Sequence, residues 1–504
     1  MKATVTAHRD FTIAAIDERI YSAFLEHLGR AVYTGIHEPD HPTADANGMR
    51  GDVAELVREL DIPFVRYPGG NFVSAYNWED GIGPVEQRPV RLDLAWHTSE
   101  SNRVGIHEFM AWCDTVNTRP MLAINLGSRG LDQARNFVEY VNGPLGSYWG
   151  DLRKKNGRAE PWNCRLWCLG NEMDGPWQIG HKTAEEYGRL ANETAKALRA
   201  FDKGLELVVC GSSNSDMKTY PEWERIVLEH TYEAVDHISL HMYFANRDGD
   251  TQTYLSLNHK LDRYIATVAA AIRLVKANKR SKRDVHISFD EWNVWYHSNA
   301  EDRAVLEGNA GWPHAPRLLE DIYIFEDVLQ VGCILNTFIR RSDVVKIACI
   351  AQLVNVIAPI MTEPGGPAWR QTIYYPYYFA SRHGRGTALN LSVSCPGYDS
   401  IHDDNVPWLD IAGVHDEAAR TLTFFAINRH AAESLQTEIA LQGFGAARVT
   451  EHKVMTHENL RARNTLADPD AVVPRDGAGA RVADGLLTVT LPPHSWQMIR
   501  VTLA

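Results

Sequence analysis

The chain has 504 residues, of which 44% are apolar and 23% are charged, so it can bury a large core and exceeds the usual size of one domain. Its formal net charge is −13 and its pI is about 5.9, with lysines and arginines scattered along the chain. This pattern predicts neither a nucleic acid nor an anionic membrane as a partner. It suits a neutral small-molecule substrate.

The amino-terminal segment and the cysteines both bear on the compartment. Charged residues interrupt the first 19 residues, and the sequence contains no run of about 18 apolar residues, so we expect neither a signal peptide nor a membrane span. The seven cysteines are odd in number and lie mostly in apolar segments, as free thiols do in a reducing compartment. Cys164 and Cys168 have a C-x3-C spacing without a second pair, which disfavours a structural metal. We therefore expect a soluble, cytoplasmic protein.

From about residue 20 to 370, short apolar runs alternate with longer amphipathic segments, which is the rhythm of βα units. Helices are predicted at 184–201, from its Ala, Glu, Leu and Lys content, and at 255–278, from apolar residues at three- and four-residue intervals. Eight strands separated by helical segments favour a (β/α)8 barrel over an open sheet. The predicted strands are 23–28, 63–67, 121–126, 166–169, 207–210, 238–242, 286–289 and 347–353.

After about residue 375 the pattern changes to alternating strands with turn residues between them, at 409–414, 421–427, 486–491 and 496–503. This predicts an all-β, jelly-roll-like sandwich domain. The segment 3–7 also alternates and is expected to add a strand to that distant module. The predicted division is a catalytic barrel over residues 15–374 and a β-sandwich domain formed by residues 1–14 and 375–504, with a fixed interface between the two.

Two glutamates end apolar runs that are predicted as the fourth and seventh barrel strands. Glu172 ends the run LWCLGNE, and Glu291 lies in HISFDEWN. Catalytic groups of such barrels come from the carboxyl ends of the strands, and strands four and seven face each other across the mouth. Retaining glycoside hydrolysis needs two carboxyl groups about 5 to 5.5 Å apart. A lone glutamate at a strand end is usually a solvated or helix-capping residue, so the prediction depends on the pair.

The roles of the two glutamates are predicted from their surroundings. Arg66 lies at the end of the second predicted strand, one residue before its last, and could hold Glu291 ionised, because a guanidinium favours a nearby carboxylate. An ionised carboxylate suits a nucleophile, and Glu172 is left as the general acid/base.

Three motifs, LGNE, FDEWN and RYPGGN, together resemble the α-L-arabinofuranosidases of glycoside hydrolase family 51, and the resemblance covers essentially the whole chain. The two glutamate motifs also fit the larger clan of barrel glycosidases. The segments RYPGGN at 66–71 and EHLGR at 26–30 narrow the resemblance to this family. The resemblance implies an acid/base at Glu172 and a nucleophile at Glu291. It further implies a furanoside pocket formed by Glu26, Asn71, Asn171, Tyr243 and Gln352, with Trp96 and Trp295 as its aromatic lining.

The implied pocket residues suit an uncharged polyol, since amides and carboxylates bind hydroxyls and an aromatic face covers the apolar side of the ring. Asn171 would bond the sugar 2-hydroxyl, and Tyr243 would donate to the nucleophile. Taken singly, Trp96, Trp295 and Tyr243 are more often core or rim residues than ligands.

The predicted function is that of an exo-acting, retaining α-L-arabinofuranosidase, which removes terminal arabinofuranosyl residues from oligosaccharides. The alternatives are a β-xylosidase, a galactofuranosidase or an endo-glucanase on the same carboxylates, or a non-catalytic carbohydrate-binding protein. The resemblance also implies a homo-oligomer, because bacterial members of the family are often hexamers.

No cofactor and no metal are predicted. The run HEPDH, from His37 to His41, satisfies the letters of a zinc-protease motif, but Pro39 and Pro42 disfavour the helix that the motif needs, so we expect a loop over the barrel mouth. The sequence contains no standard phosphate-binding glycine loop, which argues against a nucleotide.

Overall fold

Eight parallel strands close into a barrel in the computed structural model, which describes residues 1–298 and 300–504. Each strand pairs with its neighbours along the chain, and the eighth pairs with the first. All eight predicted strands are present, so the predicted (β/α)8 barrel is confirmed. We number them β1 (Ser22–Phe24), β2 (Phe64–Tyr67), β3 (Arg119–Ala123), β4 (Leu166–Leu169), β5 (Glu206–Cys210), β6 (His237–Phe244), β7 (His286–Val294) and β8 (Val345–Ala351).

Helices follow every barrel strand and contact one another around the outside. The helices predicted at 184–201 and 255–278 correspond to α5 and to all but the first turn and the last residue of α7. In the described part of the chain the helices are α1 (Gly51–Leu60), α2 (Ile106–Val116), α3 (Leu131–Asn142), α4 (Tyr148–Lys155), α5 (Ala184–Phe201), α6 (Glu222–Thr231), α7 (Thr251–Lys279), α8 (Arg303–Leu306), α9 (Phe325–Arg340) and α10 (Tyr374–His383). None of these helices combines the length and the apolar character that a membrane crossing requires.

Helix α5 shows how the sequence specifies this outer ring. Thr183 caps its first turn by accepting a hydrogen bond from the backbone N–H of Glu186. Tyr187 and Ala191 are four residues apart, Leu198 follows seven residues later, and all three are buried. This spacing places them on one face of the helix, which packs against the barrel.

The β-sandwich domain consists of a five-stranded and a seven-stranded sheet. Alternate residues of their strands, such as Ile439 and Phe424, form a second apolar core. The amino-terminal strand joins this module, as the sequence predicted, and it pairs in parallel with the strand at 435–442, which was not predicted. In spatial order, the first sheet contains Ser392–Ser394, Lys2–His8, Leu435–Gln442, Leu486–Leu491 and Arg481–Ala483, and the second contains Thr12–Ala15, Thr387–Leu389, Leu409–Asp416, Thr421–Asn428, Ser495–Leu503, Ala447–Thr456 and Arg475–Asp476.

Short two-stranded hairpins decorate this framework. One, formed by Arg91–Asp93 and Thr98–Glu100, follows β2 and carries Trp96 in its turn. The others are formed by Ile360–Thr362 with Ala368–Arg370 and by Gly397–Tyr398 with Val406–Pro407.

Helix α10 bears on the domain boundary. It contacts α1 and α9, and the hydroxyl of Tyr377 donates a 2.9 Å hydrogen bond to the carbonyl of Ser22 in β1. A break between residues 374 and 375 would separate α10 from the barrel that it covers. The division of the chain stays a prediction, and we propose to place the boundary after His383.

Strand β1 ends four residues before its predicted end. The backbone N–H of Leu25 still bonds the carbonyl of Arg66 at 2.9 Å, but the N–H of Glu26 bonds the side-chain oxygen of Gln352 at 2.8 Å. The chain therefore leaves the regular ladder at this point. The departure turns the side chain of Glu26 into the barrel mouth.

Candidate active site

A cavity of about 690 Å³ opens at the carboxyl ends of the barrel strands. All ten residues that the sequence analysis assigned to the site lie in or directly beneath it. Arg66 and Asn171 lie beneath, each in contact with a cavity residue. The other eight line the cavity: Glu26, Asn71, Trp96, Glu172, Tyr243, Glu291, Trp295 and Gln352.

A bulge in β7 positions Glu291. Relative to β6, strand β7 has one extra residue between Ser288 and Glu291. The neighbours Asp290 and Glu291 consequently both contact Arg66, with Nε to Oδ2 at 3.6 Å and Nη1 to Oε1 at 2.9 Å. In a regular strand, consecutive side chains point to opposite faces. The bulge therefore keeps Asp290 inside the barrel and still aims Glu291 at the mouth.

Both oxygens of the Glu291 carboxylate accept hydrogen bonds. Arg66 donates to Oε1, and the hydroxyl of Tyr243 donates to Oε2 at 2.8 Å. The second terminal nitrogen of Arg66 donates to Asn171 at 2.7 Å, which orients the guanidinium. Glu291 is thus a buried carboxylate held in a single orientation by donors on β2 and β6.

The double glycine of the RYPGGN motif has a steric reason. A Cβ atom on Gly69 would lie 2.6 Å from Cγ of Glu26, and one on Gly70 would lie 2.9 Å from Oε1 of Glu291. Real Cβ atoms do not approach so closely. Glycine at these two positions lets the loop after β2 pass directly beside both carboxyl groups.

Glu172 lies just beyond β4 and has a left-handed backbone, with φ of 45°. Its Oε1 is 2.9 Å from Nδ1 of His241, and its Oε2 accepts a 2.7 Å hydrogen bond from the indole of Trp177. One oxygen of Glu172, one oxygen of Glu291 and a ring nitrogen of His241 all lie within 4.8 Å of one another. The two predicted catalytic carboxyl groups therefore face each other across the cavity at close range.

Two residues that contact Glu172, His241 and Trp177, were not predicted from the sequence. His241 precedes Tyr243 by two residues on β6, so both side chains point into the barrel, and this alternation in the run SLHMY is a signal that could have found it. Trp177 lies in the irregular loop after Glu172 and is about half exposed. Nothing periodic in the sequence distinguishes it.

Glu26 is a buried carboxyl group with an unusual titration. Its Oε1 accepts hydrogen bonds from the backbone N–H of Phe72 at 2.9 Å and from the indole of Trp96 at 3.0 Å. Burial and the neighbouring charge of Glu291 nevertheless raise its pKa to about 8. Near neutral pH Glu26 is therefore mostly protonated and can donate a hydrogen bond to a ligand hydroxyl.

The remaining predicted residues complete the wall. The side-chain amide of Asn171 donates to that of Asn71 at 3.3 Å. The ring of Trp295 meets that of Tyr243 edge to face, with centroids 5.4 Å apart. Amide, carboxyl and aromatic groups thus share one concave surface, the composition that suits a sugar.

The HEPDH segment folds as a loop, as predicted. The ring of His41 contacts the hydroxyl of Thr43 and the carbonyl of Gly366, both at 2.9 Å, so its two nitrogens are engaged. In the described part of the chain, the side chains placed to hold a metal ion are instead Glu172, His241 and Glu291.

The fold and the site together define a class of enzyme. A (β/α)8 barrel in which two carboxyl groups from strands four and seven face each other across a polar pocket is the architecture of a barrel glycoside hydrolase.

Comparisons with known proteins narrow the class to a family. Family models match residues 56–264, as α-L-arabinofuranosidase 1 domain, and residues 290–495, as α-L-arabinofuranosidase C-terminal domain. The chain is 54% identical to the intracellular exo-α-(1→5)-L-arabinofuranosidase of Halalkalibacterium halodurans and 54% identical to intracellular exo-α-(1→5)-L-arabinofuranosidase 1 of Bacillus subtilis. Each alignment covers 99% of this chain and 99% of the relative. A family 51 α-L-arabinofuranosidase from Bifidobacterium longum has a similar solved structure, with a TM-score of 0.94, 42% identity and 99% of both chains covered. The protein belongs to the α-L-arabinofuranosidases of glycoside hydrolase family 51.

Proposed function

We propose that the protein releases terminal α-L-arabinofuranosyl residues from short (1→5)-linked oligosaccharides, with retention of configuration. The observation that carries the mechanism is the approach of Glu172 and Glu291 oxygens to within 4.8 Å. Retaining glycosidases separate their carboxyl groups by about 5 to 5.5 Å, whereas inverting enzymes need about 6.5 to 9.5 Å to admit a water molecule. The names of the two bacterial relatives support the linkage and the exo mode.

In the first step, a carboxylate oxygen of Glu291 attacks the anomeric carbon while Glu172 gives its proton to the departing glycosidic oxygen. One carbon–oxygen bond forms and one breaks, which leaves an arabinosyl ester on Glu291. In the second step, Glu172 removes a proton from water, and the water oxygen attacks the same carbon and releases Glu291. Two inversions give net retention.

The surrounding contacts suit these roles. Arg66 and Tyr243 hold Glu291 through separate oxygens, so the attacking carboxylate does not need to reorient during the reaction. His241 and Trp177 similarly orient Glu172. The pocket of about 690 Å³ has the size of a small-molecule site, which supports cleavage at a chain end.

Azide rescue tests the two roles. Glu291→Ala should slow every substrate by several orders of magnitude, because the attacking group is lost. Glu172→Ala should lose roughly 10² to 10⁴ in rate with a sugar leaving group, since the proton donor is lost, and much less in the first step with dinitrophenolate. Azide should rescue Glu172→Ala on the dinitrophenyl substrate and give an arabinosyl azide of retained configuration, which proton NMR identifies.

Glu222→Ala, at an exposed glutamate of α6, is the matched control and should behave as wild type. If azide instead rescued Glu291→Ala to an inverted product and had no effect on Glu172→Ala, the two roles would be exchanged. Comparison of aryl α-L-arabinofuranoside, β-D-xyloside and β-D-galactofuranoside by kcat/KM tests the specificity. Family membership does not favour the xylosidase, galactofuranosidase, endo-glucanase and non-catalytic alternatives.

The word intracellular in the names of both relatives agrees with the predicted cytoplasmic location. A homo-oligomer, with a hexamer as the expected form, stays a prediction that light scattering would test.

A further inference from the structure

We propose that the active site is also a reversible binding site for Zn²⁺, which occupies the position between Glu172, His241 and Glu291 and competes with substrate. Glu172, just beyond β4, and Glu291, on β7, line the cavity, and the buried His241 on β6 contacts both of their carboxylates. Two carboxylates and one imidazole are a ligand set that zinc accepts.

The distances suit zinc. Nδ1 of His241 lies 2.9 Å from Oε1 of Glu172 and 3.6 Å from Oε2 of Glu291, and all three ligand atoms lie within 4.8 Å of one another. Zinc bonds of about 2.0 Å to nitrogen and oxygen place neighbouring ligands of a tetrahedron roughly 3.3 Å apart. A small rotation of the carboxylates therefore completes three corners, and the cavity leaves the fourth open to water.

The same surroundings make the site exchangeable rather than permanent. Arg66 lies 2.9 Å from Glu291, so a positive charge already occupies one side of the pocket. Nε2 of His241 is buried and has no hydrogen-bond partner within residues 1–298 and 300–504, whereas a firmly held zinc ligand donates this N–H to a neighbour. Both features weaken binding, and the imidazole favours zinc over magnesium, which prefers oxygen ligands.

Bound zinc would abolish catalysis directly. The ion coordinates the oxygens that must attack the anomeric carbon and carry the proton, and it lies between the two carboxylates, where the bond to be cleaved must bind. Zinc and substrate therefore exclude each other. The inference uses the proposed catalytic roles for its kinetic readout alone, because zinc binding to the three side chains can be measured without turnover.

The test combines calorimetry and kinetics on the full-length enzyme in a buffer that does not bind zinc. Zinc should bind with a stoichiometry of one, arabinose should weaken that binding, and inhibition of arabinofuranoside hydrolysis should be competitive and reversed by EDTA. Mg²⁺ at the same concentration should neither bind measurably nor inhibit hydrolysis. His241→Gln and, as a second variant, Glu172→Gln should each weaken calorimetric zinc binding at least about tenfold, while their melting temperatures report whether they fold.

A thiol is the competing explanation, since soft metals also bind cysteine. Of the seven cysteines, all within the described residues, Cys395 alone is not fully buried. Cys395→Ser should keep wild-type activity and wild-type inhibition. The proposal is overturned if Cys395→Ser abolishes the effect, if inhibition is noncompetitive, if millimolar zinc does not bind, or if neither site variant weakens binding. If the wild type did not hydrolyse the arabinofuranoside, the proposed function would be wrong. Calorimetry would still show whether zinc binds to the three side chains.

Discussion

Replacing Asp410 by asparagine should weaken the contact between the barrel and the sandwich. Asp410 lies in a sandwich strand and is buried against two arginines: Nη2 of Arg429 lies 2.9 Å from Oδ2, and Nη1 of Arg340, at the end of α9, lies 3.1 Å from Oδ1. Asn336 of α9 donates to the same Oδ1 at 2.7 Å. The carboxylate of Asp410, in the sandwich, thus bonds two residues in the last turns of the barrel helix α9.

The pKa of Asp410 gives the size of the effect. Burial alone would raise this pKa, but Arg340, Arg429 and the bond from Asn336 overcome burial and lower it from 3.8 to about 2. Because the folded pKa is lower than the unfolded one, the contribution to stability is complete above pH 3.8 and is lost as the pH falls through about 2. The difference corresponds to roughly 2 kcal/mol at neutral pH. Asparagine also leaves two arginines without their carboxylate, so the total loss should be about 2 to 5 kcal/mol.

Urea unfolding followed by tryptophan fluorescence, between pH 7 and pH 3, measures this loss. The difference in unfolding free energy between wild type and Asp410→Asn should be largest near pH 7. At pH 3 this difference should be smaller by about half of the roughly 2 kcal/mol that the ionised carboxylate contributes at neutral pH. Asp476→Asn is the matched control, since Asp476 forms an exposed ion pair with Lys453 in the same domain. It should leave stability unchanged. The reasoning is refuted if both variants behave alike, or if the difference does not depend on pH.

Three further predictions concern the active site. In wild type, kcat/KM should decline as the pH rises through about 8, because ionisation of Glu26 places a second charge beside Glu291. The variant Glu26→Gln should lack this decline, and a variant that kept the same decline above pH 8 would contradict the prediction. Trp96→Phe removes the indole donor to Glu26 and keeps an aromatic ring, so KM should rise by about two- to tenfold with the melting temperature unchanged, as expected for one hydrogen bond. Prolonged EDTA treatment should leave activity intact, and a loss restored by added zinc would show that the enzyme needs a metal.

The sequence predicts the barrel well because each strand is a short apolar run with a helix-length segment after it. Glu172 and Glu291 were predictable for the same reason: each stands where such a run ends. The bulge in β7 could not be predicted, because its extra residue is defined by the pairing with β6 and not by any local pattern. The early end of β1 likewise depends on a bond between Glu26 and Gln352, residues separated by 326 positions.

Contacts between loops set a second limit on sequence reasoning. Trp177 reaches Glu172 because the chain after β4 folds back irregularly, and no periodicity reports such a path. The predicted domain boundary between residues 374 and 375 falls inside helix α10, because the alternating pattern of the sandwich strands does not mark where the preceding helix ends. Its apolar residues show that it is buried but do not say against which domain.

The strand Lys2–His8 has a consequence for synthesis of the protein. It lies inside the five-stranded sheet, between Ser392–Ser394 and Leu435–Gln442. At about 5 to 20 residues per second, the ribosome needs roughly 20 to 90 seconds to make the partner strand after this one has emerged. During that interval Ala3, Val5 and Ala7, all buried in the finished sheet, lack this partner strand while the barrel can already form. The nascent chain therefore carries an incompletely paired strand that must be kept from other chains until Leu435–Gln442 has been made.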